Sequence, residues 1–212
     1  METTSEKPIF AEYESFSVRD KYEIDDDNYY KVGESNTKYP HHYLSLNSLG
    51  KTSLTPSEIM GRMQSDWSKV FPMGATGMKG SNKVFYGQVF KLPGPPMRVQ
   101  FGPESLAVPL VGTVHFTGPL LDQDHLWNNY VGVTGVTSTT VTVTTKSQHV
   151  FVGNVENGVF RDSSGETWLY QDGTGENDGT VRRFLNYKSA KYIWILTARN
   201  VRNLMDEPAP AK

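Results

Sequence analysis

Histidines set in strand-like runs are the residues of this chain best suited to moving protons. His115 in TVHFTG and His149 in SQHVFVG lie in alternating segments, where either can face an interior, and imidazole titrates close to neutrality. One such base with a carboxylate and a dry pocket suffices for cyclase, dehydratase or isomerase chemistry. His125 in LDQDHLW stands beside Asp122 and Asp124, a spacing for a loop metal site or an acid-base pair, but it matches no metal signature. His41 and His42 read as surface or strand edge. The chain has no cysteine, which removes disulfides, thiolate ligands and thiol nucleophiles. It has no G-x-S-x-G. DGTGENDG at 172–179 is acidic and glycine-rich, yet it lacks the sixth-position glycine and closing glutamate of a calcium loop. It reads as a polar loop. Gly173-x-Gly175 stands in no strand-to-helix dinucleotide turn. Neither a metal nor a cofactor is expected.

A second set of residues suits binding rather than reaction. VENGVFRDSSGETWLYQDG, residues 155–173, places Phe160, Trp168 and Tyr170 in two runs flanking the break Asp162-Ser163-Ser164-Gly165. Gly165 suits the positive φ of a hairpin turn. Trp168 and Tyr170 share a strand face, with Leu169 opposite. Together with Trp127, Tyr130, Phe151 and Trp194 these aromatics can line a cavity for a planar or lipidic ligand, or they can be ordinary core. Trp and Tyr carry polar handles that need partners once buried. The carboxylates Glu156, Asp162 and Glu166 fall near hairpin turns, where solvated positions are usual.

The elements that must position these residues follow from local pattern. HHYLSLNSL alternates as a first strand, with His42, Leu44, Leu46 and Ser48 on one face and Tyr43, Ser45, Asn47 and Leu49 on the other. LTPSEIMGRMQSDWSKVFP predicts one capped helix after it. Thr55 is the N-cap, Pro56 the first helical residue, Glu58 closes a capping box, and Leu54 and Ile59 form a staple. Ile59, Met63, Trp67, Val70 and Phe71 make one apolar face, and Pro72 ends it. After a glycine-rich link, KVFYGQVFKL, MRVQF, LVGTVHFTG, LWNNYVGVTGV, TSTTVTVTTKS and HVFVGNV read as further strands. Seven threonines among residues 134–145 mark β-branched surfaces on both faces of one of them. Ala190, Ile193, Trp194, Thr197, Ala198, Val201, Leu204 and Met205 recur at helical steps, with Asn186 or Ser189 as the expected cap.

Strand, helix, mostly antiparallel strands and one long terminal helix define an α+β fold. A strongly curved antiparallel sheet grips the C-terminal helix, because a curved sheet has an apolar concave face that must be covered. Such a grip often leaves a cavity, and ligand pockets run from about 300 Å3 upward. The chain resembles the START / polyketide-cyclase-like superfamily, the helix-grip proteins. TPSEIMGRMQSDWSKVFP, SQHVFVGNV, the D-x-x-G-x-x-W hairpin at Asp162, Gly165 and Trp168, and the terminal helix carry the resemblance over residues 40–206. It departs in its acidic N-terminal arm and in having one clear helix where many members have two short ones.

Bulk properties agree with a soluble domain. The 212 residues are 37% hydrophobic and 12% aromatic, with a net charge of −2, which gives no electrostatic case for nucleic acid. No apolar run reaches the roughly 20 residues that span a bilayer. The N-terminus lacks a signal pattern, so a cytoplasmic location is expected. Residues 1–35 hold ten acidic and four basic residues. Arg182, Arg183, Lys188, Lys191, Arg199 and Arg202 stand near the other end with no acid among them. The division expected is an acidic arm at 1–38, an α+β domain at 39–206 and a disordered tail at 207–212, with a protein partner possible for the arm. The leading functional expectation is non-catalytic binding of a hydrophobic small molecule or lipid between sheet and helix. The alternatives are a histidine-dependent enzyme and a structural subunit docking through its arm.

Overall fold

Asp162, Ser163, Ser164 and Gly165 turn the chain between two nine-residue strands, with Gly165 at φ 80°, and this hairpin forms the middle of the sheet. A computed structural model describes residues 17, 29–33, 41–71, 74–92, 130–146, 152–175 and 180–208, with backbone alone for 29–33, 41–43 and 180–192. In chain order the elements are β1 (Tyr29–Gly33), β2 (His41–Gly50), α1 (Pro56–Ser65), α2 (Trp67–Val70), β3 (Thr76–Gly77), β4 (Val89–Lys91), β5 (Tyr130–Val136), β6 (Thr140–Thr145), β7 (Gly153–Arg161), β8 (Thr167–Gly175) and α3 (Thr180–Asp206). The strands form one open antiparallel sheet in the order β1-β2-β8-β7-β6-β5-β4-β3. The α+β architecture expected from the sequence is the one observed. No helix among the described residues is long and apolar enough to cross a membrane.

Register assigns every strand residue to a face, because side chains alternate and paired residues point the same way. Asn47, Leu169 and Val159 form one row across β2, β8 and β7. Ser45, Gln171, Asn157 and Val141 form the next, and Gly173, Val155 and Val143 the third. These rows make the concave face. Against it lie Ile59, Met60 and Met63 of α1, Trp67 and Val70 of α2, and Ala198, Val201 and Leu204 of α3. Full burial of each large aliphatic side chain contributes about 1.5–3 kcal/mol. Packing therefore holds α3 in place far more strongly than helix propensity does.

The predicted capping box is present. Glu58 N donates to Thr55 Oγ1 at 3.2 Å and Thr55 N to Glu58 Oε2 at 2.7 Å. The contact with the Thr55 backbone holds the Glu58 carboxyl below the usual carboxylate range. The helix expected to continue to Phe71 breaks at Asp66, which is extended at φ −152°, ψ 90° and caps α2 by accepting from Ser68 N at 3.1 Å. One predicted helix is thus two short ones, because Asp satisfies backbone donors best from outside a helix.

Three other expectations change in extent. α3 begins at Thr180, since the run Val181–Leu185 holds no glycine or proline, so Asn186 and Ser189 lie within it rather than capping it. Asp172–Gly175, read as loop, continues β8 because it pairs with both β2 and β7. KVFYGQVFKL is strand only at Val89–Lys91, since a turn with Gly87 at φ 80° interrupts it. β1, inside the segment read as an arm, is a backbone-paired strand on β2. MRVQF and LVGTVHFTG lie outside the described residues.

Polar contacts fix the helices to the sheet. Arg62 Nη1 donates to the carbonyls of Leu204 at 2.8 Å, Met205 at 3.0 Å and Glu207 at 2.5 Å. This supplies donors to the end of α3, where backbone acceptors lack intrahelical partners. Arg202 donates to Ser48 O of β2. Arg161 Nη2 donates to Thr52 O at 2.9 Å and Leu54 O at 2.6 Å, tying the β2–α1 connection to β7.

Candidate functional site

Three glycines on or beside the concave face leave the sheet without side chains where α3 crosses it. Gly153 and Gly175 are paired across β7 and β8, and Gly173 lies two residues along from Gly175. A Cβ on Gly173 would sit 3.0 Å from the Trp194 ring, so the indole of α3 rests on bare backbone there. Helix and sheet do not close completely around this place. They leave a cavity of about 180 Å3.

The cavity is lined from β5, β6 and β7 by Val131, Val143, Thr145 and Val155, and from α3 by Ile193, Trp194 and Thr197. Trp67, Val70 and Phe71 close it at the α2 end, and Leu92 follows β4 into its wall. Val152, 47% exposed, belongs to the lining and marks where the cavity meets solvent. Contributions from β5 to β8 and from α3 to a single hollow express the curvature of the sheet. The hollow is smaller than the pocket of about 300 Å3 expected from the sequence, because Trp194 occupies the space over Gly173.

The floor is not wholly apolar. Gln171 and Asn157, opposite each other on β8 and β7, are 2% and 4% exposed, and Gln171 Nε2 donates to Asn157 Oδ1 at 3.0 Å. Gln171 Oε1 has no hydrogen-bond partner. Ser45 extends the polar row onto β2, where its Oγ accepts from Nδ2 of Asn47, in the neighbouring row, at 2.7 Å. Among the described residues none that lines the cavity carries a charge. Among the described residues no three His, Asp or Glu side chains gather as a metal site.

The aromatics singled out in the sequence divide between the two faces. Trp194 lines the cavity. Phe160, Trp168 and Tyr170 do not: alternation turns them to the opposite face of the sheet, while Leu169 faces the core. There they form a second buried set with Leu46, with the Phe160 and Tyr170 rings 6.1 Å apart. Trp168 Nε1 donates to Asp162 Oδ2 at 3.0 Å, and Tyr170 OH donates to Glu156 Oε1 at 2.6 Å. Burial, then the Glu156 contact, pushes the Tyr170 phenol far above its ordinary range. Tyr130 opens β5 beside the lining residue Val131 and, by alternation, takes the other face. Trp127, Phe151, His115, His149, His125, Asp122 and Asp124 lie outside the described residues.

Most of the lining was not foreseen. The valines of β5 to β7 look like any strand core, and Gln171 and Asn157 look like solvated hairpin positions. One signal was legible: Gln171 and Asn157 have the strand parity of Leu169 and Val159, so they must face inward with them.

Comparison with known proteins adds little to this geometry. No protein-family model matches the chain, and no curated protein matches it. Among solved structures, a conserved protein of unknown function from Enterococcus faecalis is 10% identical, with a TM-score of 0.46 over 87% of this chain and 80% of its own. Ara h 8.0201 is also 10% identical, with a TM-score of 0.39 over 76% of this chain and 97% of its own.

Proposed function

We propose that the protein binds a small, uncharged, largely apolar molecule between the concave sheet face and α3, without catalysing its conversion. The observation that carries this reading is the hollow of about 180 Å3 beneath Trp194, beside the core cluster that joins the concave face to the helices. An apolar cavity of about 150 Å3 is large enough to hold benzene, so this one matches a single ring or the end of a chain. That narrows the ligand from the hydrophobic small molecule or lipid expected at first. Apolar walls supply the affinity, and the described lining, which carries no charge, disfavours ions, since a buried charge without a partner is costly.

Titration of the full chain with benzene and toluene tests the reading, followed by protein NMR shifts and melting temperature. Binding is expected to perturb Val143, Val155 and Trp194 and to raise the melting temperature with ligand concentration. Val143→Phe, which fills the hollow, is expected to abolish the response while the protein stays folded. Absence of any response to single-ring probes in the wild type overturns the proposal.

A further inference from the structure

We infer that the loop joining β3 to β4, residues 78–88, is a docking surface for an anionic membrane. None of its residues lines the cavity. Among the described residues, three of the four exposed large apolar side chains lie in this loop: Met78 at 54%, Phe85 at 39% and Tyr86 at 74%. A lone exposed apolar residue is ordinary, whereas a group of them marks a contact surface. Lys79, next to Met78, sets its Nζ over the Phe85 ring, 6.0 Å from the centroid, so the two ends of the loop share one patch. The backbone beneath is fixed. Met78 N donates to Val89 O at 2.9 Å, Val84 N to Gln64 O at 2.7 Å and Gly87 N to Val133 O at 2.9 Å. Buried Gln88 donates from Nε2 to Ser81 O at 2.7 Å, and a Cβ on Gly77 would come within 1.7 Å of that same oxygen. Val84 joins the core while its neighbours Phe85 and Tyr86 stand out. The exposure is therefore built into the loop.

Charge selects the partner. Lys79 and Lys83 are exposed within the patch, and no acidic residue stands between Asp66 and Glu104 in the chain. The Asp66 carboxylate is engaged at the start of α2, where it accepts from Ser68 N at 3.1 Å and Ser68 Oγ at 2.5 Å. Lysine lays its stem along apolar surface and keeps its ammonium in water, which suits the level of lipid head groups. An anionic leaflet attracts each such lysine, and tyrosine favours the boundary between hydrocarbon and water. Side chains that protrude fit a fluid apolar phase, which needs no matching shape. Protein interfaces enrich Tyr, Phe and Met but deplete Lys, and here lysines are interleaved with the aromatics. Single-stranded nucleic acid takes a basic groove with open aromatic faces. Here Lys79 covers the Phe85 face, and the chain has a net charge of −2.

The full chain is sedimented with vesicles of phosphatidylcholine alone and of phosphatidylcholine mixed with phosphatidylserine, at low and high salt. The wild type is compared with Tyr86→Ser and with the double variant Lys79→Gln, Lys83→Gln. Wild type is expected to favour the phosphatidylserine vesicles, and salt to weaken the association. Loss of each lysine is expected to lower partitioning about fivefold, and Tyr86→Ser about tenfold. A spin-labelled lipid in the same vesicles is expected to broaden the Met78 and Tyr86 resonances of the wild type more than any others. All three substituted side chains are exposed, so the melting temperature should hold. Should a variant unfold, the broadening in the wild type decides alone. Failure of the wild type to bind phosphatidylserine vesicles overturns the inference, as does binding that neither variant lowers. Uptake of an oligonucleotide or an acidic peptide by this patch, with vesicles left bare, also overturns it and assigns the surface to that partner. None of these outcomes bears on the cavity, so the two readings stand or fall separately.

Discussion

Asp162 holds Trp168 with one carboxylate oxygen and the turn between their strands with the other. Oδ2 accepts from Trp168 Nε1 at 3.0 Å, while Oδ1 accepts from Ser164 N at 2.9 Å, Ser164 Oγ at 2.6 Å and Glu166 N at 3.1 Å. Both residues are buried. The D-x-x-G-x-x-W spacing is thus a turn lock. Asp162→Ala strands a buried indole N–H and two turn amides, and is expected to cost about 3 kcal/mol in denaturant unfolding. Faster amide exchange at 162–168 should accompany the loss. A cost below about 1 kcal/mol would show that the carboxylate is dispensable.

Alkaline stability should depend on Tyr170. Its phenol is held protonated in the folded protein, above the ordinary value of 10.0. The stabilisation is therefore complete below about pH 10 and is lost as the pH rises beyond it, where the unfolded chain releases the proton. Tyr170→Phe is expected to unfold with a flatter pH dependence above pH 10. At neutral pH it should be weaker by about 1.5 kcal/mol, through the lost bond to Glu156. Parallel wild-type and variant curves above pH 10 would contradict this.

Gly173→Val should reshape the cavity from the sheet side. A Cβ already meets the Trp194 ring at 3.0 Å, so a branched side chain must push the indole aside or toward the hollow. An overpacking cost of about 1–3 kcal/mol is expected, together with a shifted Trp194 resonance and weakened toluene binding. Unaltered binding would mean that Trp194 does not bound the occupied space.

Removal of the Arg62 guanidinium should loosen α3 from its C-terminal end. Arg62→Met keeps much of the stem and loses the contacts to Leu204, Met205 and Glu207. A loss of about 1–2 kcal/mol is expected, with amide protection falling first near residues 201–206. Uniform loss of protection along the whole of α3 would argue against an end-specific role.

What the sequence revealed and what it hid separate along physical lines. Capping, turn and periodicity signals are local: Thr55 and Glu58, Gly165, and the Trp194–Leu204 stripe could be recognised from neighbours in the chain. The break at Asp66 was concealed because Met63 and Trp67, one on each side of it, keep helical spacing. Face assignment was half legible. Trp168 and Tyr170 were known to share a side, but which side met α3 depends on pairing with β2 and β7, which no local pattern states. Aromatic content pointed toward the wrong surface of β8, since large rings are as useful for filling a second apolar layer as for greeting a ligand. The hollow itself depends on Gly153, Gly173 and Gly175 meeting across two strands, a coincidence of register.

The split character of β8 bears on how such a chain can diversify. Its even-numbered residues Trp168 and Tyr170 are tied to Asp162 and Glu156, whereas the odd-numbered Gln171 and Gly173 touch the hollow. Substitutions at Val143, Val155 or Gln171 can therefore alter the shape of the hollow, and with it the guest that the proposed binding would admit, while the anchoring on the far surface stays untouched. A scaffold wired this way offers a route to new selectivities by a handful of exchanges, each testable in isolation.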